Sequence, residues 1–233
     1  MLFKFYTDEA GEYDILKNML SGWSGSTVAQ RARQYGIPMD IARTCKKTKE
    51  CPLLKEYLRQ GYKTYAVELK QSLAFYTAYW KKREKEIRAL LEKIFETKVP
   101  LYTVRLNVQC DGTSNWYGTD ISINAFSYLF PNKNWHACSV LWEMVLSLTF
   151  MAVRRLFPAS ELPDEQVWGI AELTAIAFIQ VDFEKGSDWT ISYKELEPHR
   201  RKVRRIYQRR KNWDDYLHQV IRYFKQHPLK KGC

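Results

Sequence analysis

Histidine is scarce in this chain: there are four, at positions 136, 199, 218 and 227, and no two stand at H-x-x-x-H spacing. A helix that offers two imidazoles to one zinc ion needs that spacing, so a zinc hydrolase of the usual kind is not expected. Cysteine is scarce as well. Five cysteines, at 45, 51, 110, 138 and 233, make an odd number without a C-x-x-C pair, which points away from a disulfide framework or a zinc finger and toward a reduced, intracellular setting. Cys45 and Cys51 accordingly read as two thiols. The segment Met1–Glu9 lacks a basic stretch leading into an apolar run, so no secretory leader is expected. The longest apolar region, about 137 to 153, is broken by Glu143 and falls short of the ~20 residues that a bilayer span requires. No membrane partner and a cytoplasmic location are therefore expected. Internal repeats and low-complexity tracts are absent too.

What is present is an ordinary globular composition, 45% hydrophobic and 27% charged over 233 residues, enough for one large or two small domains. The aromatic share of 15% exceeds what a minimal core needs and predicts some exposed aromatic surface. A net charge of +11 opens the possibility of an anionic partner.

The pattern along the chain predicts an α+β, helix-rich fold. Residues 1–98 form a helical N-terminal region, 99–185 an α+β core with a small central sheet and two buried helices, and 186–233 a basic helical extension. Within the first region, residues 1 to about 60 read as short helices, with Gly36 as a C-cap and Pro38 as a stop. The run Val28–Ala42 superficially resembles a helix-turn-helix, although a plain helical hairpin explains it as well. From Thr64 to Glu96, Leu69, Leu73, Tyr76, Trp80, Ile87, Leu91 and Ile94 recur at helical spacing, and the mixed-sign run Lys81–Glu86 covers the solvated face. Residues 101–110 alternate as a strand does, Asp111–Asn115 is a turn, and Asp120–Asn124 is the next strand.

Two apolar helices follow, each with one carboxylate: Glu143 within Ser139–Phe150, and Glu172 within Ile170–Ile179. An unpartnered buried carboxylate is costly, so two on neighbouring helices suggest one shared polar site. Over roughly residues 101–181 the layout resembles a degenerate gluzincin, a zinc metallopeptidase with H-E-x-x-H on one helix and a glutamate ligand on the next. The motif here would read Trp142-Glu143-Met144-Val145-Leu146. The resemblance implies that Glu143 stands at the general base, Glu172 at the third ligand, and Trp142 and Leu146 at the two lost histidines. It also implies that Asp120–Asn124 is the edge strand that holds substrate. With no catalytic residue, metal or cofactor then expected, the function implied is a non-catalytic, zincin-like pseudopeptidase acting on an unidentified protein partner.

Two other readings of these helices stay open. Arg105, Arg154, Arg155 or the basic tail could neutralise the two glutamates. The polar stripe His136, Ser139, Glu143 and Ser147 could line a residual cleft or be the seam on which the C-terminal helix docks. A metal held by Glu143, Glu172, His136 and Cys138 is disfavoured, because His136 and Glu143 lie about 10 Å apart along a helix axis. The alternative function rests on the tail. Lys194–Lys211 carries nine cations, among them Arg200, Arg201, Lys202, Arg204, Arg205, Arg209, Arg210 and Lys211, which would give weak, non-specific nucleic-acid contact. Val203, Ile206, Tyr207, Leu217, Val220, Ile221 and Phe224 instead predict an amphipathic region docked on the body.

Overall fold

The structure, a computed structural model, describes residues 2–22, 27–34, 36–109, 115–129, 134–187 and 193–229. It is α+β and helix-rich, as the pattern predicts. Strand β1 (Phe3–Tyr6) is followed by five helices: α1 (Glu9–Gly22), α2 (Val28–Gln34), α3 (Met39–Lys47), α4 (Pro52–Thr64) and α5 (Ala66–Phe95). Strands β2 (Tyr102–Asn107), β3 (Asn115–Tyr117) and β4 (Asp120–Asn124) come next, then α6 (Trp135–Leu156) and α7 (Asp164–Phe178). A π-turn over Ile179–Phe183 leads on to α8 (Glu197–Arg209) and α9 (Trp213–Gln226).

The sheet order is β1-β2-β4-β3, with β1, β2 and β4 parallel and β3 antiparallel to β4. Strand β1 is one the sequence pattern misses: Phe5 pairs with Val104 across most of the N-terminal half. The Asp120–Asn124 strand exists but is not the edge, since it pairs with β2 on one side and β3 on the other. Among the described residues the two edges are β1 and β3. Of the expected turn at Asp111–Asn115, residues 111–114 lie outside the described residues, and Asn115 is not a turn residue but begins β3.

Helix α6 is apolar on every side, and such a helix must be buried on every side. His136–Val145 is buried except for the half-buried Trp142, and α6 packs on β3, β4 and α7. This explains why α6 has the length and composition of a membrane span while lying inside the protein. One continuous core runs from Leu2 through the faces of α5, α6 and α7 to Leu229. The C-terminal helices therefore belong to it, with Val203, Ile206 and Tyr207 of α8 and Tyr216, Leu217 and Phe224 of α9 turned inward. A second core, from Tyr13 to Leu58, is confined to α1–α4.

Within that second core Cys45 and Cys51 are joined by a disulfide, which corrects the reading of two thiols. Chain reversal at Cys51, the residue before α4, brings the two cysteines together, which a count of cysteines cannot foresee. The helix pair α2–α3 turns at Gly36, whose φ of 63° suits a residue without Cβ, and Ile37 N–H closes the end on Ala32 O at 2.8 Å.

Glu12 of α1 ties the second core to the sheet. It is fully buried and accepts hydrogen bonds from Tyr62 Oη (2.8 Å), Val108 N (2.9 Å) and Gln109 N (2.7 Å). Burial raises its pKa, opposed by these three bonds and by Arg105. Glu12→Ala would strand two backbone donors at the end of β2, and a loss of about 2–5 kcal/mol is expected in urea melts at neutral pH. Glu12→Gln, which keeps one acceptor, should cost less than the alanine variant.

Candidate functional site

Helices α6 and α7 lie against each other over much of their length. Both carboxylates singled out by the sequence are buried, and Glu172 is the one that meets the facing helix. Glu143 is 5% and Glu172 is 4% exposed. Glu172 sits on a helix whose other residues from Ile170 to Phe178 are equally buried. Its partners are indoles, not the arginines or lysines that seemed available. Trp142 Nε1 donates to Glu172 Oε2 at 3.0 Å, and Trp168, one turn earlier on α7, donates a second hydrogen bond. Of the arginines that seemed available, Arg155 is exposed and the other two are engaged elsewhere. Arg105 lies 3.8 Å from Asp8 and 3.2 Å from Tyr6 Oη, and Arg154 pairs with Asp164 and with Leu162 O at 2.7 Å.

Two neutral donors cannot compensate for removing a charge from water. Burial therefore dominates, and the pKa of Glu172 is pushed up to about 7, with the two indoles pulling it back down. The carboxyl is thus poised between its two protonation states near neutral pH. Trp168 in turn stands edge-on to Tyr193 at 4.8 Å between centroids, so this side of the site is walled by aromatic rings.

The residues do not fit a zinc ion. Trp142 and Leu146 carry no donor of the kind zinc takes, and among the described residues no three His, Cys, Asp or Glu side chains gather as a metal site. The alternative set is dispersed as well. His136 packs on the rings of Phe75, Tyr76 and Tyr79 at 5.0, 6.2 and 4.6 Å, while Cys138 Sγ donates to Glu184 at 3.6 Å.

The polar stripe on α6 is buried throughout, but the C-terminal helices are not what covers it. Ser147 hydrogen-bonds Tyr102 Oη at 3.1 Å and Gly118 O, which turns that part of the stripe toward the sheet. Helices α8 and α9 dock on α7 instead: Thr174 meets Tyr216 Oη at 2.6 Å, and Gln166 exchanges hydrogen bonds with the Leu229 backbone at 3.0 and 3.3 Å. That correction follows from the small residues of α7. Gly169 approaches Leu196 and Leu229 so closely that a Cβ there would lie 2.7 Å from Leu229.

The cations of the tail separate into two sets. Arg210 is withdrawn, with its guanidinium 3.8 Å from the Tyr207 ring centroid and 3.3 Å from Asp182 Oδ2, and Arg200 lies 3.5 Å from Glu197. Arg204 is half-buried on the flank of α8. Arg201, Lys202, Arg205, Arg209 and Lys211 are exposed. Sequence reasoning did not single out Trp168, although Trp168-x-x-x-Glu172 is an i, i+4 pair on an apolar helix and so marks a potential donor for the buried carboxylate.

No family model, curated protein or solved structure matches this chain.

The raised pKa has a pH signature. The native state holds the Glu172 proton more tightly than the unfolded chain, whose value is near 4.5, so its contribution is fully present below about 4.5 and is lost as pH rises through about 7. Glu172→Gln has no proton to lose. Between pH 4.5 and 7 its stability relative to the parent chain should increase by about 3 kcal/mol and then level off. Urea melts at half-unit pH steps measure this, and two parallel profiles would mean that Glu172 is not desolvated.

Proposed function

We propose that this protein is zincin-like, lacks peptidase chemistry, and acts by binding another protein. The observation that carries the reading is the 3.0 Å contact between Trp142 Nε1 and Glu172 Oε2. In the gluzincin layout, the residue at the first histidine position and the glutamate of the next helix must meet at one point. They do so here, with an indole N–H at the point of contact. The order of elements supports the same reading: a mostly parallel sheet with one antiparallel edge strand, followed by two buried helices joined through Pro158 and Pro163.

A site that keeps this scaffold without a metal can retain binding without cleavage. The substrate-holding edge strand of the family corresponds to β3. Among the described residues β3 pairs only with β4, and a sheet edge of that kind can accept an added peptide strand. Glu143 is the positional match to a general base but would have no metal-bound water to activate. A cytoplasmic location remains part of the proposal. The Cys45–Cys51 disulfide weighs against it, because such links are rare in reducing compartments.

Two measurements test this reading. Metal analysis of the purified protein should find no stoichiometric zinc, and casein should remain uncleaved. The sharper test is to restore the motif with the double substitution Trp142→His and Leu146→His. If the scaffold is that of a zincin, the variant should bind about one zinc per chain, as two imidazoles at i, i+4 and one carboxylate supply three ligands. Adding Glu172→Ala should then weaken zinc binding by at least tenfold. A folded double variant that takes up no zinc would sink the family reading.

A further inference from the structure

The cations that sequence reasoning found on the tail continue, in the folded protein, into a trough built from three other parts of the chain. Along α8 the residues Arg201, Arg205 and Arg209 recur every fourth position on the face opposite Val203, Ile206 and Tyr207, so they form a single exposed row with about 6 Å between steps. Two residues beyond Arg209, Lys211 lines a groove of about 430 Å³ between the end of α5 and the α8–α9 turn, with Lys93 on its opposite wall. Trp213 lines this groove and also a second one of about 180 Å³, where Lys98 and Arg155 stand over a floor of Phe95, Leu148 and Met151. Lys93, Lys98 and Arg155 are exposed and come from the α5 end, the loop after it and the α6 end.

The carboxylates near the trough are already engaged. Asp182 accepts hydrogen bonds from Tyr207 Oη at 2.7 Å and from Arg210 at 3.3 Å, and Glu96 accepts from Trp213 N at 3.4 Å. Asp215, at the start of α9, accepts from Lys211 N at 3.0 Å and from Gln219 at 2.8 Å. Among the described residues no ion pair neutralises Arg201, Arg205, Arg209, Lys98 or Arg155, whereas Lys211 lies within the field of Asp215.

We propose that the outer face of α8 and the trough beside Trp213 form one continuous track for a single-stranded nucleic acid. A regular row of cations matches the repeating phosphates of a strand, which an acidic peptide has no need to repeat. The apolar floor beneath Lys98 and Arg155 suits base faces, as in other sites that combine cations with apolar surface for single strands. A duplex presents two phosphate ridges across a groove about 12 Å wide, whereas this track offers one row that ends in a concavity between helices. The track is independent of the Glu172 site.

The test uses fluorescence anisotropy of a fluorescein-labelled 20-mer oligodeoxynucleotide, single-stranded and duplex, at about 50 and 200 mM salt. The full chain should bind the single strand more tightly than the duplex at the lower salt. Each phosphate contact on a single strand contributes about 0.7 to the slope of log K against log salt, so Arg201→Ala/Arg205→Ala/Arg209→Ala should flatten it by about two, and Lys98→Ala/Arg155→Ala by about one. A charge-matched control, Lys81→Ala/Lys82→Ala/Lys85→Ala on exposed positions of α5, should leave the slope unchanged. All three variants change only exposed side chains, and a thermal melt of each should match the parent chain. Absence of binding at 50 mM salt overturns the proposal, as does equal loss in the control, which would reduce the effect to net charge. Duplex binding at equal strength overturns the single-strand seat. Displacement of the oligonucleotide by poly-L-glutamate at equal charge concentration would assign the track to an acidic protein instead.

Discussion

A carboxylate held between two apolar helices is the constraint around which the centre of this molecule is arranged. Neither α6 nor α7 can turn Glu172 toward water without also exposing the leucines, isoleucines and alanines that surround it. An ionised carboxylate in such a place ordinarily requires a cation, and a cation buried beside it carries its own desolvation cost. Two tryptophans meet the need differently. Their rings fill space as any core side chain does, and each N–H needs an acceptor when buried, so donor and acceptor solve each other's problem. What remains is a charge imbalance small enough to be settled by a proton, which is why the carboxyl titrates near neutrality.

The rest of the architecture accommodates that pair of helices. A four-stranded sheet this small leaves much of α6 uncovered; α7 and α5 cover the rest of it, and the C-terminal hairpin in turn covers α7. Helix α7 is approached closely because it is lined with small residues: Gly169, Ala171, Ala175 and Ala177 are all buried or in the core-facing run, and Gly169 admits Leu196 and Leu229 against the backbone. Glu12 plays a comparable part at the other end of the sheet, where a single carboxylate joins α1, α4 and the end of β2. In both places a buried acid specifies which elements come together, and in neither is a cation the nearest partner.

Long periodic elements were legible in the sequence because their own residues define them. The α5 stripe, the alternation of β2 and the apolar runs of α6 and α7 each contain enough turns or alternations to declare themselves. Strand β1 has four residues and β3 has three, too few to carry a period, and each is fixed by a partner strand. Register with β2 and β4 therefore decided them, and it also moved the edge from Asp120–Asn124 to Asn115–Tyr117. The two glutamates were legible as buried for the same reason as their helices. The partners of Glu172 were not, because the search for a counter-charge favours arginine, whereas its donors are the neutral indoles at 142 and 168. Cys45 and Cys51 were misread because spacing statistics ignore the chain reversal between α3 and α4.

The basic tail illustrates how one helix can satisfy two demands that looked like alternatives. Docking and anion binding were opposed while α8 was a list of residues, since the same cations seemed to serve either the body or a partner. In three dimensions the division runs around the helix. Val203, Ile206 and Tyr207 face α7, and Arg210 is drawn back over the Tyr207 ring to neutralise Asp182. Positions 201, 205 and 209 lie on the far side and gain nothing from the body. Packing fixes the inner face, and a fixed inner face holds the outer row in one geometry relative to Lys93, Lys98 and Arg155. The same cations on a free tail would attract polyanions, but without a docked helix to align them they would define no path.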